Sequence, residues 1–96
     1  MIVDLSAKYH IRSNRESGFG RYDVIMEPKN LLDDAIIMEF KVHEDDESSL
    51  EDTVQSALQQ IKEKEYDTEL ITRGISKERI RHYGFAFKGK MVLIGM

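Results

Sequence analysis

The chain has 96 residues, 41% of them apolar and 33% charged, with 14 basic against 18 acidic side chains, a net charge of −4 and no cysteine. A chain of this size is read as one small globular domain, residues 1–96; its composition excludes a disordered polymer, and the lack of cysteine excludes a disulfide framework and a thiolate metal site. Asp4 interrupts Met1-Ile2-Val3 and no apolar run follows, so neither a signal peptide nor a membrane span is expected, and the expected location is cytoplasmic.

In chain order, Tyr9 to Ser13 has weak period-2 character, the turn-rich Ser17-Gly18-Phe19-Gly20 follows, and the run to Met26 alternates again until Pro28. This predicts a hairpin. Lys29 to Asp34 reads as the next turn and Ala35 to Val42 as a third strand, apolar enough for a central position. His43-Glu44-Asp45-Asp46-Glu47 reads as a solvated acidic loop before a helix, where negative charge complements the helix dipole. Ser48 with Glu51 has capping-box spacing, and Leu50, Val54, Ala57, Leu58 and Ile61 form one face of a helix running to about Tyr66. A shorter helix, Asp67 to Arg73, is expected to stop at Gly74. Ile80 to Phe87 and Met91 to Ile94 read as two further strands joined by Lys88-Gly89-Lys90. The order strand-strand-strand-helix-strand-strand predicts an α/β or α+β domain with a mixed sheet, the long helix allowing strand four to return parallel to an earlier strand.

The chemistry-bearing residues lie where strands should bury hydrocarbon. Side chains alternate along a strand, so Asp23 shares a face with Ile25, and Ile37, Glu39 and Lys41 share a face of the third strand. If those strands are neighbours, the three polar ends can converge. Two carboxylates about 4 Å apart repel by about 4 kcal/mol at an effective dielectric of 20, and Lys41 alone does not offset that, so a divalent cation is the natural third charge. Oxygen ligands favour magnesium or manganese over zinc. An ion held by Asp23 and Glu39 can orient a water and neutralise charge on a phosphodiester, with Lys41 stabilising the transition state. Gln60 lies roughly 60° from Ala57 on the following helix and could reach the site edge. Tyr66 reads as a helix-end packing residue. Arg12, Arg15 and Arg21 are candidate phosphate contacts, Arg15 and Arg21 foremost. Gly18-x-Gly20 lacks the Lys-Ser/Thr of a phosphate loop, and His10, His43 and His82 are too scattered for a zinc motif.

Asp23, then Glu39-Phe40-Lys41, then Gln60 in that order resembles the PD-(D/E)XK nuclease superfamily. The stretches Ser13 to Asp23, Ala57 to Tyr66 and Tyr83 to Lys90 are similar to one branch of it, the nuclease-like domain found C-terminal to AAA-ATPase-like domains. The resemblance implies a restriction-endonuclease-like fold and hydrolysis of nucleic acid, DNA foremost. It implies that Asp23 and Glu39 bind Mg2+ or Mn2+, that Lys41 is catalytic and that Gln60 assists. It also implies an ATPase domain in the full-length protein. Superfamily members commonly carry an N-terminal helix whose Glu completes the metal site. Met1 to Lys8 contains no Glu, so the expected fold lacks that helix, which implies either a fragment of a longer chain or an incomplete site, and Tyr22 replaces the usual Pro before the Asp. The alternative is an inactive nuclease fold serving dimerisation or nucleic-acid binding beside an ATPase, and a homodimer through the sheet face or the Met91 to Ile94 edge is expected.

Overall fold

A computed structural model describes residues 7–15 and 21–96. Among them, β1 (Tyr9–Arg15), β2 (Arg21–Pro28), β3 (Ala35–Val42), β4 (Ile80–Lys88) and β5 (Met91–Gly95) form one sheet in the order β1-β2-β3-β4-β5. Neighbours are antiparallel except β3 and β4, which run parallel. A parallel pair needs a crossover, and α1 (Leu50–Glu63), α2 (Tyr66–Thr72) and a 3-10 turn at Lys77–Arg79 supply it. The mixed sheet with two helices is the expected α+β architecture, consistent with a restriction-endonuclease-like fold. The expected turn at Ser17 to Gly20 and the expected lack of an N-terminal helix both fall on residues outside the described ones, the latter through residues 1–6. Among the described residues no helix is long and apolar enough to cross a membrane.

Alternation decides the two faces. Ala35, Ile37, Glu39 and Lys41 are buried along β3, and on β2 Asp23 and Ile25 join them. On this face Ile25, Ala35 and Ile37 meet Ile61 of α1, Leu70 of α2 and Ile75, with Leu58, Tyr66 and Ile80 packed around them. The opposite face carries an aromatic stack. Phe40 lies 4.5 Å from Tyr22 and 4.6 Å from Phe85 between ring centroids, with Phe87 at 6.1 Å. Stacking of this kind adds about 0.5–1.5 kcal/mol per pair beyond the area buried.

Two glycines set how closely α1 approaches the sheet. A Cβ placed on Gly84 of β4 would stand 3.0 Å from the Val54 carbonyl oxygen, 3.2 Å from Leu58 Cγ and 3.3 Å from Ala57 Cβ. One placed on Gly95, the β5 partner of Gly84, would collide with Val54 Cγ1.

The helix ends differ from expectation by a few residues, for local reasons. Ser49, not Ser48, is the N-cap: its backbone is extended and its Oγ accepts from the Asp52 N–H at 3.2 Å, while Ser48 Oγ donates to the Asp52 carboxylate. Both serines have an acid three residues on, so spacing alone does not separate them. The first helix ends at Glu63 instead of Tyr66 because Glu65 adopts φ 55°, ψ 33°. A left-handed residue without glycine's freedom costs about 1–2 kcal/mol; the bend turns Tyr66 and Leu70 back toward the sheet. Past α2, Gly74 has φ 104°, and the N–H groups of Gly74 and Ile75 donate to the Ile71 and Leu70 carbonyls, a Schellman stop at the expected glycine.

Candidate active site

Strand register assembles one row across the helix-covered face: Asn14, Asp23, Glu39, Gly84 and Gly95, one residue from each strand. The two acids sit beside each other at the middle of the sheet, Asp23 1% exposed and Glu39 fully buried. Burying two adjacent carboxylates costs several kcal/mol per ion unless positive charge and hydrogen-bond donors meet them. Both are supplied where α1 ends and α2 begins. Lys64 Nζ donates to Asp23 Oδ2 at 2.7 Å and to Glu39 Oε1 at 3.1 Å. Tyr66 OH donates to the same Asp23 oxygen at 2.8 Å. The other Asp23 oxygen, Oδ1, is buried and accepts no hydrogen bond among the described residues.

Tyr66 is therefore a partner of the carboxylate, not only the packing residue expected. Burial raises its pKa, the hydrogen bond and the charge of Asp23 raise it further, and Lys64 and Asn14 oppose the shift without cancelling it. The phenol stays protonated and able to donate.

Lys41 shares the buried face with Glu39 but its ammonium does not join the carboxylate pair. It donates to Glu47 Oε2 at 2.8 Å and to Ser56 Oγ at 3.0 Å. The Lys41 ammonium is thus bonded to groups other than the two acids, and Glu47, expected in a solvated loop, is its partly buried partner. Glu47 also accepts from the Glu44 N–H at 2.8 Å and from Thr53 Oγ1 at 3.1 Å, while Thr53 Oγ1 lies 2.7 Å from His43 Nδ1. Burial pushes the Glu47 carboxyl up, but Lys41, the Glu44 N–H and Thr53 outweigh it and hold the carboxyl below its ordinary value.

A carboxyl depressed on folding stabilises the fold fully above its unfolded pKa, and that contribution is lost as pH falls through the folded value. The loss from Glu47 therefore begins near the ordinary glutamate value of about 4.3 and continues below it. Glu47→Gln is expected to flatten the acid limb of stability against pH in that window, measured by urea unfolding at successive pH values. An unchanged limb would remove Glu47 as a contributor.

Gln60 is half-buried, one turn after Ser56 and one turn before Lys64. At 100° per residue these three form a single stripe on α1. Ser56 meets Lys41 at one end and Lys64 meets the acids at the other, so Gln60 stands between the two polar contacts. Arg21 pairs in register with Lys41 and so lies on the site face, whereas Arg15 pairs with Tyr22 and lies on the other. Arg12 pairs with Glu69 at 3.3 Å. Sequence reasoning missed Lys64, Glu47 and Ser56. For Ser56 and Lys64 the signal was the helical spacing of four residues on either side of Gln60; Glu47, in the loop before α1, gave no such signal.

Among the described residues no three His, Cys, Asp or Glu side chains gather as a metal cage. Two hard carboxylates and an open oxygen on Asp23 nevertheless suit magnesium-type binding, in which one or two protein carboxylates are completed by water and substrate phosphate.

A family model described as the PD-(D/E)XK nuclease superfamily matches residues 1–96. No curated protein and no solved structure gives a significant match. The superfamily generally uses divalent metal ions and acts on nucleic acid, and the motif order that suggested it runs from Asp23 through Glu39-Phe40-Lys41 to Gln60. With the family model covering the whole chain and the sheet arranged as that fold requires, this chain belongs to the PD-(D/E)XK nuclease superfamily.

Proposed function

We propose that the chain is a Mg2+- or Mn2+-dependent nuclease hydrolysing DNA phosphodiester bonds, with Asp23 and Glu39 holding the metal. The observation that carries this reading is the pair itself: two acids in register at the centre of the sheet, both buried, with Asp23 Oδ1 turned to no donor among the described residues. A structural ion pair places one acid against one base, whereas among the described residues the Lys64 ammonium bridges two acids. When bound, the ion supplies a Lewis acid that lowers the pKa of water and neutralises charge on the phosphodiester.

The chain's own groups supply the rest. Tyr66 fixes the orientation of Asp23 through Oδ2, leaving Oδ1 for the ligand. Lys41, held by Glu47 and Ser56, presents a fixed ammonium on the same face, where it can stabilise charge developing on a phosphate oxygen. Gln60 stands at the site edge to orient substrate or water. Arg21 contacts backbone phosphate from the site side, and Arg15 follows the strand toward the other face. Such domains in the similar branch accompany ATPase domains, so an ATPase domain in the full-length protein and a cytoplasmic location belong to the same proposal. The test is cleavage of single- and double-stranded DNA with either metal by wild type and by Asp23→Ala. Metal-dependent cutting lost in the variant supports the reading, and equal cutting by both rejects it.

A second reading, a nuclease fold serving self-association, is favoured by one observation. On the face away from the helices, Tyr22, Val42, Val92 and Ile94 are 41–55% exposed around the aromatic stack. A contiguous apolar surface of this kind on a sheet is a self-complementary patch for a second copy. Sedimentation across a wide concentration range is expected to show a dimer that Val92→Asp disrupts. A monomer throughout would remove this reading.

A further inference from the structure

Among the described residues Lys64 is bonded to both acids, and its placement has three features that set it apart from Lys41. It bridges Asp23 Oδ2 and Glu39 Oε1, the two side chains proposed as metal ligands. It is the last residue before the left-handed Glu65, at the end of α1 instead of within it. Its side chain is 19% exposed, whereas that of Lys41 is 5% exposed and tied to Glu47 and Ser56. Lys41 is thus built in, whereas Lys64 enters the site from the end of the helix and stays partly exposed to water.

Charge gives the direction. Among the described residues the two carboxylates and the Lys64 ammonium together carry negative charge, which a divalent cation offsets more fully than a single lysine does. A divalent ion bound between the two carboxylates through Asp23 Oδ1 would stand close to an ammonium bonded to Asp23 Oδ2 and Glu39 Oε1, and two positive charges that close repel. We infer that Lys64 holds the metal's place in the metal-free protein, and that metal entry is an exchange in which its ammonium leaves Asp23 and Glu39 for solvent. Lys64 is then a positioning residue: it allows the two acids to be buried side by side during folding and sets the threshold of metal loading. The inference rests on the reading of Asp23 and Glu39 as the metal ligands.

Calorimetric titration of Mn2+ near pH 8, where proton competition for carboxylates is small, tests the exchange without any cleavage assay. Loss of two charge-assisted hydrogen bonds from the metal-free state is expected to tighten Mn2+ binding on the order of tenfold in Lys64→Met and Lys64→Gln. Lys64→Arg, which keeps a competing charge, is expected to bind no more tightly than wild type. The metal-free Met and Gln variants lose thermal stability, and Mn2+ raises their Tm by more than it raises that of wild type. If wild type binds Mn2+, Asp23→Asn does not, and the Met and Gln variants bind as wild type or more weakly, the exchange is overturned while the metal site stands. If neither wild type nor the Met and Gln variants bind Mn2+, both fall together. The Gln variant decides the matter should the Met variant fail to fold.

Discussion

Asp23→Asn is expected to lower metal-dependent DNA cleavage by at least about 10^3-fold, the scale on which removal of a group stabilising transition-state charge is felt. The substitution keeps the shape of the side chain and its neighbours Tyr66 and Lys64, so the domain remains folded. What it removes is the anionic charge that makes a divalent cation more favourable at this position than water. Lys41→Met is expected to be nearly as severe for cleavage, about 10^2- to 10^3-fold, but to leave Mn2+ binding in place, because the Lys41 ammonium is bound to Glu47 and Ser56 and not to the acids. The two variants are therefore separable by one binding titration. Cleavage that survives either change at wild-type level would contradict the assigned role of that residue.

Gly84→Val is expected to destabilise the fold by about 1–3 kcal/mol, the usual range for overpacking a filled interior. The first new atom meets the Val54 carbonyl oxygen at 3.0 Å, and a backbone atom within a helix cannot rotate aside. Relief requires α1 to lift from the sheet. Gly84 is the direct β4 neighbour of Glu39, and α1 carries Ser56, Gln60 and Lys64, so the same movement pulls the helix stripe away from the acids. For a domain of this size the stability loss appears as a fall in Tm of about 4–8 °C per kcal/mol. Cleavage is expected to drop with it, and a Tm equal to that of wild type would show that α1 sits further from the sheet than described.

Most of the strand framework was legible because period-2 alternation survives even where polar residues occupy buried positions. Ala35 to Val42 is an example: Glu39 and Lys41 keep the phase set by Ala35 and Ile37, so the face of each was readable without coordinates. The fate of the lysines was not. A strand pattern gives the side on which Lys41 emerges, but its contact with Glu47, six residues on, depends on how the loop after β3 folds back, a tertiary fact. Lys64 was hidden for another reason. The helix was read through to Tyr66, which keeps Lys64 in a continuous charged turn, while the left-handed Glu65 ends the helix and places Lys64 at the rim of the site. No residue type at position 65 announces that break, because Glu is a good helix former.

Whether Asp23 and Glu39 together form a cation site is decided by diffraction from crystals soaked in Mn2+, through the anomalous signal of the metal. A peak is expected between the two carboxylates, within coordination distance of Asp23 Oδ1, with the Lys64 ammonium withdrawn toward solvent. A peak elsewhere, or none while Lys64 remains bonded to Asp23 and Glu39, would contradict it.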